Sequence, residues 1–388
     1  MHGPVMGTPV ILFRQNAVRV GGEAAIGKKH SFNAAAQLAV GQIQQWVVLI
    51  GFRFIPHPLM NSGIKKYVNL IDILAKIAVW AVSLPPGHDR VANCWRAVMD
   101  GSYDDRDGFI WLDGDLIPWR EAQVHILTHA MHYASSVFEG ERSYGGVIFE
   151  SRKHSERLLA SAEALQIPVH YSIDEIETAK QSVMAANGLS DAYVRPIAWR
   201  ASGEDMGVTA SRNPSRLAIA AWKWGAYYGD DAKFRGAKLD LSKWKRPNPE
   251  TIPCHAKAAG LYMICTISKQ EAEAKGCSDS MMLDYRGYVA EATGANVFFV
   301  KDGEVHTPLP DCFLNGITRQ AVLQLLKDRQ VRIHERHILP SEMEGFEQCW
   351  LTGTAAEVTP VGQIGDYHFE VGALTQAIAG DYEKLVRP

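Results

Sequence analysis

From Phe109 onward the apolar positions recur with periods that separate strands from helices. Residues 109–112 and 116–119 are apolar runs on either side of Asp113-Gly114-Asp115, which predicts a β-hairpin with a glycine-containing turn. A strand is expected over 142–149, interrupted at Gly145-Gly146. Leu158, Leu159, Ala162 and Leu165 share one helical face, so a helix is predicted over 153–165, stopped by Pro168. Ser172, ahead of Ile173-Asp174-Glu175, reads as the N-cap of a second helix that reaches Asn187-Gly188. Strands over 192–199 and 216–222 follow, and 225–231 reads as a linker.

The second half predicts a helix around 257–273 and strands over 280–283, 296–301 and 304–307, the last two joined through Asp302-Gly303. A helix over 318–327, strands over 331–338 and 348–352, and a helix from about Val371 complete the chain. Strands and helices mix without a regular βαβ alternation, which predicts an α+β fold.

Composition narrows the class. A chain of 388 residues with 47% hydrophobic and 21% charged residues suits a globular protein of two or three domains. Its net charge of −3 offers no basic field for nucleic acid and no acidic tail. Six cysteines without a C-x-x-C pair suggest free thiols in a reducing compartment, hence a cytoplasmic protein. The first 98 residues stand apart, with ten basic and three acidic side chains against a formal −10 over the remaining 290. Within them, the run over 46–50 is too short to span a bilayer and that over 68–84 carries Asp72 and Lys76. A basic targeting segment, or a true start at Met99 with a dispensable extension before it, are the other readings of this part.

The chemistry centres on Lys257, in Ile252-Pro253-Cys254-His255-Ala256-Lys257-Ala258-Ala259-Gly260-Leu261-Tyr262. Small neighbours leave room for something bulky at the amine, and a lysine kept from water can shed its proton and act as nucleophile or base. An ordinary solvated helix lysine fits the same residues. No dinucleotide fingerprint, P-loop or nucleophile elbow is present. His334-Glu335-Arg336-His337 misses the zinc-protease spacing and reads as a solvated strand face. His125, His129 and His132 read as hydrogen-bonded histidines, so no metal is expected. Gly316-Ile317-Thr318 at a helix start and Thr352-Gly353-Thr354-Ala355-Ala356 could each present N–H groups to a phosphate, though each also fits a plain cap or turn.

Taken in order, Phe138-Glu139-Gly140 with Arg142, His154-x-x-Arg157-Leu158, Tyr193-Val194-Arg195-Pro196, Trp224-Gly225-Ala226-Tyr227, Lys257-Ala258-Ala259-Gly260-x-Tyr262, Glu291 through Phe298, Gly316-Ile317-Thr318-Arg319 and Gly353 through Val361 resemble the branched-chain amino-acid aminotransferases. These belong to the fold-type IV pyridoxal-phosphate enzymes, and the resemblance covers about 107–371. It implies a small α/β domain over 99–224, a linker over 225–235, a large α/β domain over 236–388, and an active site at their interface. D-amino-acid aminotransferases and aminodeoxychorismate lyases share the fold and the lysine but match less well at 292–296 and 353–357.

The resemblance also implies roles. Lys257 would bind the cofactor aldehyde and act as general acid-base, Glu291 would face the pyridine nitrogen, and Tyr262 would donate to the 3′ oxygen. Arg157, the backbone of Ile317 and Thr318, and the hydroxyls of Thr318 and Thr354 would hold the phosphate. Phe138, Trp224 and Tyr227 would form the apolar substrate wall, with Gly140 and Arg142 beside it. Arg195, with Tyr133 and Val208 of a partner subunit, would receive the distal carboxylate of glutamate. Thr354, Ala355 and Tyr193 would take the α-carboxylate. Sharing across subunits implies a homodimer or higher assembly. The chain departs from the family pattern at Ala134, where glycine is common, and at Glu141, often aliphatic; both are expected at the pocket rim.

Overall fold

The computed structural model describes residues 102–224 and 234–387. The charge-biased segment before Met99 and the linker over 225–231 lie outside the described residues.

Two sheets organise the structure. The first begins with β1 (Phe109–Leu112) and β2 (Asp115–Pro118), turned at Asp113 and Gly114 with φ of 49° and 109°. Two successive positive φ values give the turn the twist that hairpins favour, and glycine makes the second one inexpensive. After the short α1 (His129–Tyr133) come β3 (Ser136–Phe138), β4 (Glu141–Tyr144) and β5 (Val147–Ile148). The expected single strand over 142–149 is therefore a second hairpin, because Gly145 and Gly146 both adopt positive φ and reverse the chain.

Helices α2 (Ser151–Ala164) and α3 (Ile173–Ala186) then lead into the long β6 (Ala192–Arg200) and β7 (Ser215–Trp222). The strand order is β2-β1-β7-β6-β4-β5, with β3 on β6, and the pairings are antiparallel. Ser172 caps α3 through a capping box with Glu175. Leu158 from α2 and Ile176 and Val183 from α3 bury against Val194, Leu217 and Ile219 of the sheet.

The second sheet draws on β8 (Ala237–Leu241), β9 (Asp279–Leu283), β10 (Val289–Ala292), β11 (Asn296–Lys301), β12 (Glu304–Pro308), β13 (Ile333–Arg336), β14 (Gln348–Gly353), β15 (Glu357–Ile364) and β16 (Tyr367–His368). Its order is β10-β9-β8-β15-β14-β11-β12-β13, with parallel pairing at β8–β9, β8–β15 and β12–β13. Successive side chains of β11 point to opposite faces. Val297 and Phe299 join one cluster with Leu351, while Phe298 and Val300 join another with Trp350. That second cluster is covered by α5 (Ile317–Asp328) and α6 (Ala373–Val386) through Val322, Leu326, Ile378 and Tyr382. Burial on both faces explains why β11 and β14 read as continuous apolar runs.

The helix expected from residue 257 instead starts at Tyr262, as α4 (Tyr262–Ala274). Residues 257–258 run extended along β3: Val137 bridges Ala258, and the Phe138 amide donates to the Lys257 carbonyl at 3.1 Å. The lysine segment, from the second half of the chain, is thus hydrogen-bonded to the first sheet. Among the described residues no helix is long and apolar enough to cross a membrane.

Candidate active site

Lys257 lines a cleft with about 580 Å³ of empty space, open to solvent, whose lining also includes Arg157, Tyr262, Glu291, Ile317, Thr318 and Thr354. All seven residues expected at the cofactor therefore meet in one place. The Lys257 backbone N–H donates to Ser161 Oγ at 2.9 Å, which ties the segment to α2. Its Nζ donates to Tyr262 Oη at 2.7 Å and lies 5.0 Å from the centre of the Phe138 ring. Burial and the nearby Arg157 cation lower the lysine below its ordinary value, which favours the neutral, nucleophilic amine.

Glu291 faces Lys257 from β10. Its Oε2 accepts from Asn296 Nδ2 at 3.2 Å, and Arg246 Nε approaches Oε1 at 3.3 Å. That approach is an ion contact off the N–H direction, since Arg246 Nε makes no hydrogen bond. Burial pushes the Glu291 carboxyl up to about 7, against the pull of Arg246 and Lys257.

The anion-friendly end of the cleft is built by α5, whose N-cap Gly316 has no side chain to satisfy the first N–H groups. A Cβ at Gly316 would come within 2.3 Å of Asn296 Oδ1, so any side chain here would push aside the Asn296 amide that bonds Glu291. Thr352 Oγ1, lining the same space, is buried without a hydrogen-bond partner. Arg157 reaches the cleft from α2, held in a two-pronged grip by Glu139, with Nε and Nη2 at 2.7 and 2.8 Å. His154 Nδ1 adds a third contact to Glu139 at 2.7 Å. Although burial opposes its charge, Glu139 is held well below the ordinary glutamate range by Arg157 and His154. An amine, an opposed carboxylate, an uncapped helix start and an unpartnered hydroxyl are the donor set a phosphorylated pyridine aldehyde requires.

Of the expected substrate residues, Phe138 packs on Tyr262 with centroids 4.9 Å apart, and the Arg195 guanidinium lies 4.7 Å above the Phe138 ring. Arg195 Nη2 donates to Tyr193 Oη at 3.0 Å, and the Tyr193 ring packs tilted against Trp224 with centroids 4.7 Å apart. Gly140 gives Tyr193 its room, since a Cβ there would sit 2.0 Å from Oη. Arg142 contacts Glu357 at 3.4 Å, and Ala355 lies beside Thr354 in the turn between β14 and β15. Tyr227 lies outside the described residues. Tyr133 and Val208 do not join the cleft; they line a separate surface depression with Arg200 and are 43% and 76% exposed.

Ala134 adopts φ 53°, the left-handed region that favours glycine. Glu141 is not at the pocket rim. It is fully buried against Lys180 at 2.8 Å, because its strand position turns it toward α2 and α3. Arg246 escaped the sequence reading because it sits in a basic run, Lys243-Trp244-Lys245-Arg246, that looks like solvated surface; Thr352 is read in the sequence only for its turn backbone, not for its hydroxyl. His129 bonds Ser135 and Gly207. His334 meets Glu304 at 2.6 Å and approaches His306, but Arg332 and Arg336 already occupy Glu304 and His306, as on a solvated ion-pair face.

The chain matches the family Amino-transferase class IV over residues 136–364. It is 41% identical over 267 residues to the branched-chain-amino-acid aminotransferase of Pseudomonas aeruginosa, covering 68% of this chain and 87% of that one. The crystal structure of the Escherichia coli branched-chain amino acid aminotransferase matches 72% of this chain and 95% of its own, with TM-score 0.69 and 36% identity. The branched-chain amino acid aminotransferase of Thermobaculum terrenum, solved in its PLP-bound holo form, matches 72% of this chain and 93% of its own, with TM-score 0.66 and 28% identity. The cleft geometry and these likenesses agree: this chain belongs to the class IV aminotransferases, in their branched-chain-amino-acid aminotransferase branch.

Proposed function

We propose that the protein moves the amino group of L-leucine, L-isoleucine or L-valine to 2-oxoglutarate, with pyridoxal 5′-phosphate as cofactor. The observation that carries this reading is Lys257 Nζ, on Tyr262 at 2.7 Å, sharing one cleft with the buried Glu291 and the uncapped start of α5. When bound, the cofactor supplies an electrophilic aldehyde and a ring able to accept the electron pair left at the substrate Cα.

The chain's own residues do the rest. Lys257 would hold the cofactor through its aldehyde carbon and, once displaced by the incoming amino acid, would carry the proton from the substrate Cα to that former aldehyde carbon, a task suited to an amine whose basicity burial has reduced. Glu291 holds a proton on the ring nitrogen, and Tyr262 donates to the ring oxygen. Arg157, the Ile317 and Thr318 N–H groups, and the Thr318 and Thr354 hydroxyls hold the phosphate. Phe138 and Trp224, with Tyr227, form an apolar wall for the branched side chain. Thr354, Ala355 and Tyr193 receive the α-carboxylate, flanked by Gly140 and Arg142. Arg195 takes the distal carboxylate of glutamate, with Tyr133 and Val208 supplied by a second subunit; their exposure away from the cleft supports that division.

The test is an assay with L-leucine and 2-oxoglutarate, expected to give L-glutamate and the branched 2-oxo acid one to one. Turnover confined to D-alanine or to aminodeoxychorismate would overturn the proposal.

A further inference from the structure

We infer that Arg246 is a positioning residue for this reaction: its guanidinium is the fixed counter-cation that keeps Glu291 an anion and so keeps the proton on the cofactor's ring nitrogen. The inference rests on the reading of Glu291 given above.

The guanidinium is buried, with the residue 4% exposed, and among the described residues Glu291 is the only carboxylate within ion-pairing distance, at 3.3 Å. Its other polar contact is weak, Nη1 to the Cys265 thiol at 3.2 Å, and Nε has no hydrogen bond. A cation removed from water with so few acceptors is costly unless its charge is used, and Glu291 is where it can be used. The arginine is set in place by its backbone, whose N–H donates to the Leu283 carbonyl at 2.7 Å and which forms an isolated parallel bridge with Asp284, next to β9.

The other groups facing this pair leave the task to Arg246. Lys257 is the second cation near Glu291, but in the proposed reaction its amine binds the cofactor and passes a proton, so its charge is not constant. Asn296 donates to Glu291 without charge. Tyr262, Cys254, Cys265 and Cys312 also surround the pair, and burial pushes all four up, so none supplies a competing anion at neutral pH. Glu291 itself titrates near 7 even with both cations present. Loss of a contact cation shifts a carboxyl by roughly 1–3 pH units, enough to leave it neutral under assay conditions.

The experiment loads wild type, Arg246→Met and Arg246→Lys with pyridoxal phosphate labelled with 15N in the ring and records the 15N shift and the pH profile of the half-reaction with L-leucine. A protonated nitrogen is expected in the wild type and the lysine variant. The methionine variant should move to the unprotonated range and lose rate on the order of 100-fold, as when one electrostatic donor is removed from an active site. Arg246→Gln serves the same measurement if the methionine variant does not fold. A ring nitrogen still protonated in the methionine or glutamine variant, with an unshifted profile, would overturn this inference while leaving the aminotransferase reading intact. A wild type that takes up no cofactor would overturn both.

Discussion

Replacing Glu139 by Gln tests the support beneath the phosphate-binding end of the cleft. Glu139 is fully buried and accepts from both prongs of Arg157 and from His154, all within 2.8 Å. Glutamine keeps the shape but removes the charge, and its NH₂ must face one of three donors. Breaking a buried pair by removing one partner costs about 3–5 kcal/mol. For a folded unit of this size that corresponds to a fall in Tm of about 6–10 °C, taking roughly 2 °C per kcal/mol. Arg157, no longer gripped, should also bind pyridoxal phosphate about 10-fold more weakly or worse, the value of one charged hydrogen bond. The pH dependence has a definite sign. Glu139 is depressed in the folded state, so its contribution is present above the ordinary glutamate value of roughly 4.3 and fades as the pH falls below it. Thermal melts of the two apoproteins at pH 8, 6, 4 and 3 should show a gap that is constant at the first two and narrows at the last. A gap under 2 °C, or one that does not change with pH, would refute the argument.

Lys257 gives the opposite linkage: its folded value is lowered, so between that value and about 10.4 the folded state holds fewer protons than the unfolded one and stability rises with pH. Apoprotein carrying Lys257→Met should therefore gain in Tm over the wild type most at neutral pH, with the advantage shrinking toward pH 10; a pH-independent difference would contradict this. Arg195→Gln should reduce kcat/KM for glutamate about 10- to 100-fold more than for leucine, since it removes a charged partner needed only by the distal carboxylate; equal losses would count against the assignment. Gly140→Ala forces Tyr193 aside, because the new methyl group would meet Oη at 2.0 Å. It should cost about 1–3 kcal/mol in denaturant unfolding and raise KM for the amino acid, and an unchanged KM with unchanged stability would dismiss the contact.

Local signals in the chain were enough wherever the structure obeys nearest neighbours. Ser172 and Glu175 form their capping box, Asp113-Gly114 and Asp302-Gly303 turn hairpins, and the runs at 296–301 and 348–352 are buried strands. Lys257, Thr318 and Thr354 stand out by their local setting, Glu291 and Arg157 only through the family resemblance, and the structure brings all five to one cleft. Other features depend on partners far along the chain. Residues 257–258 look helical beside α4, yet they run extended because β3, far upstream, offers them hydrogen bonds. Pro360 argues against a central strand, but β15 passes through it opposite Trp350, its inward side chains held by the burial of the sheet. Glu141 is expected at the pocket rim and Arg246 sits in a run that looks like solvated surface, and only tertiary structure buries them, one on Lys180 and the other against Glu291. Spacing and side-chain type are properties of the sequence. Which charges lose their water, and which counter-ions they then meet, is decided when distant segments pack together, because desolvation depends on everything surrounding a group rather than on its neighbours in the chain.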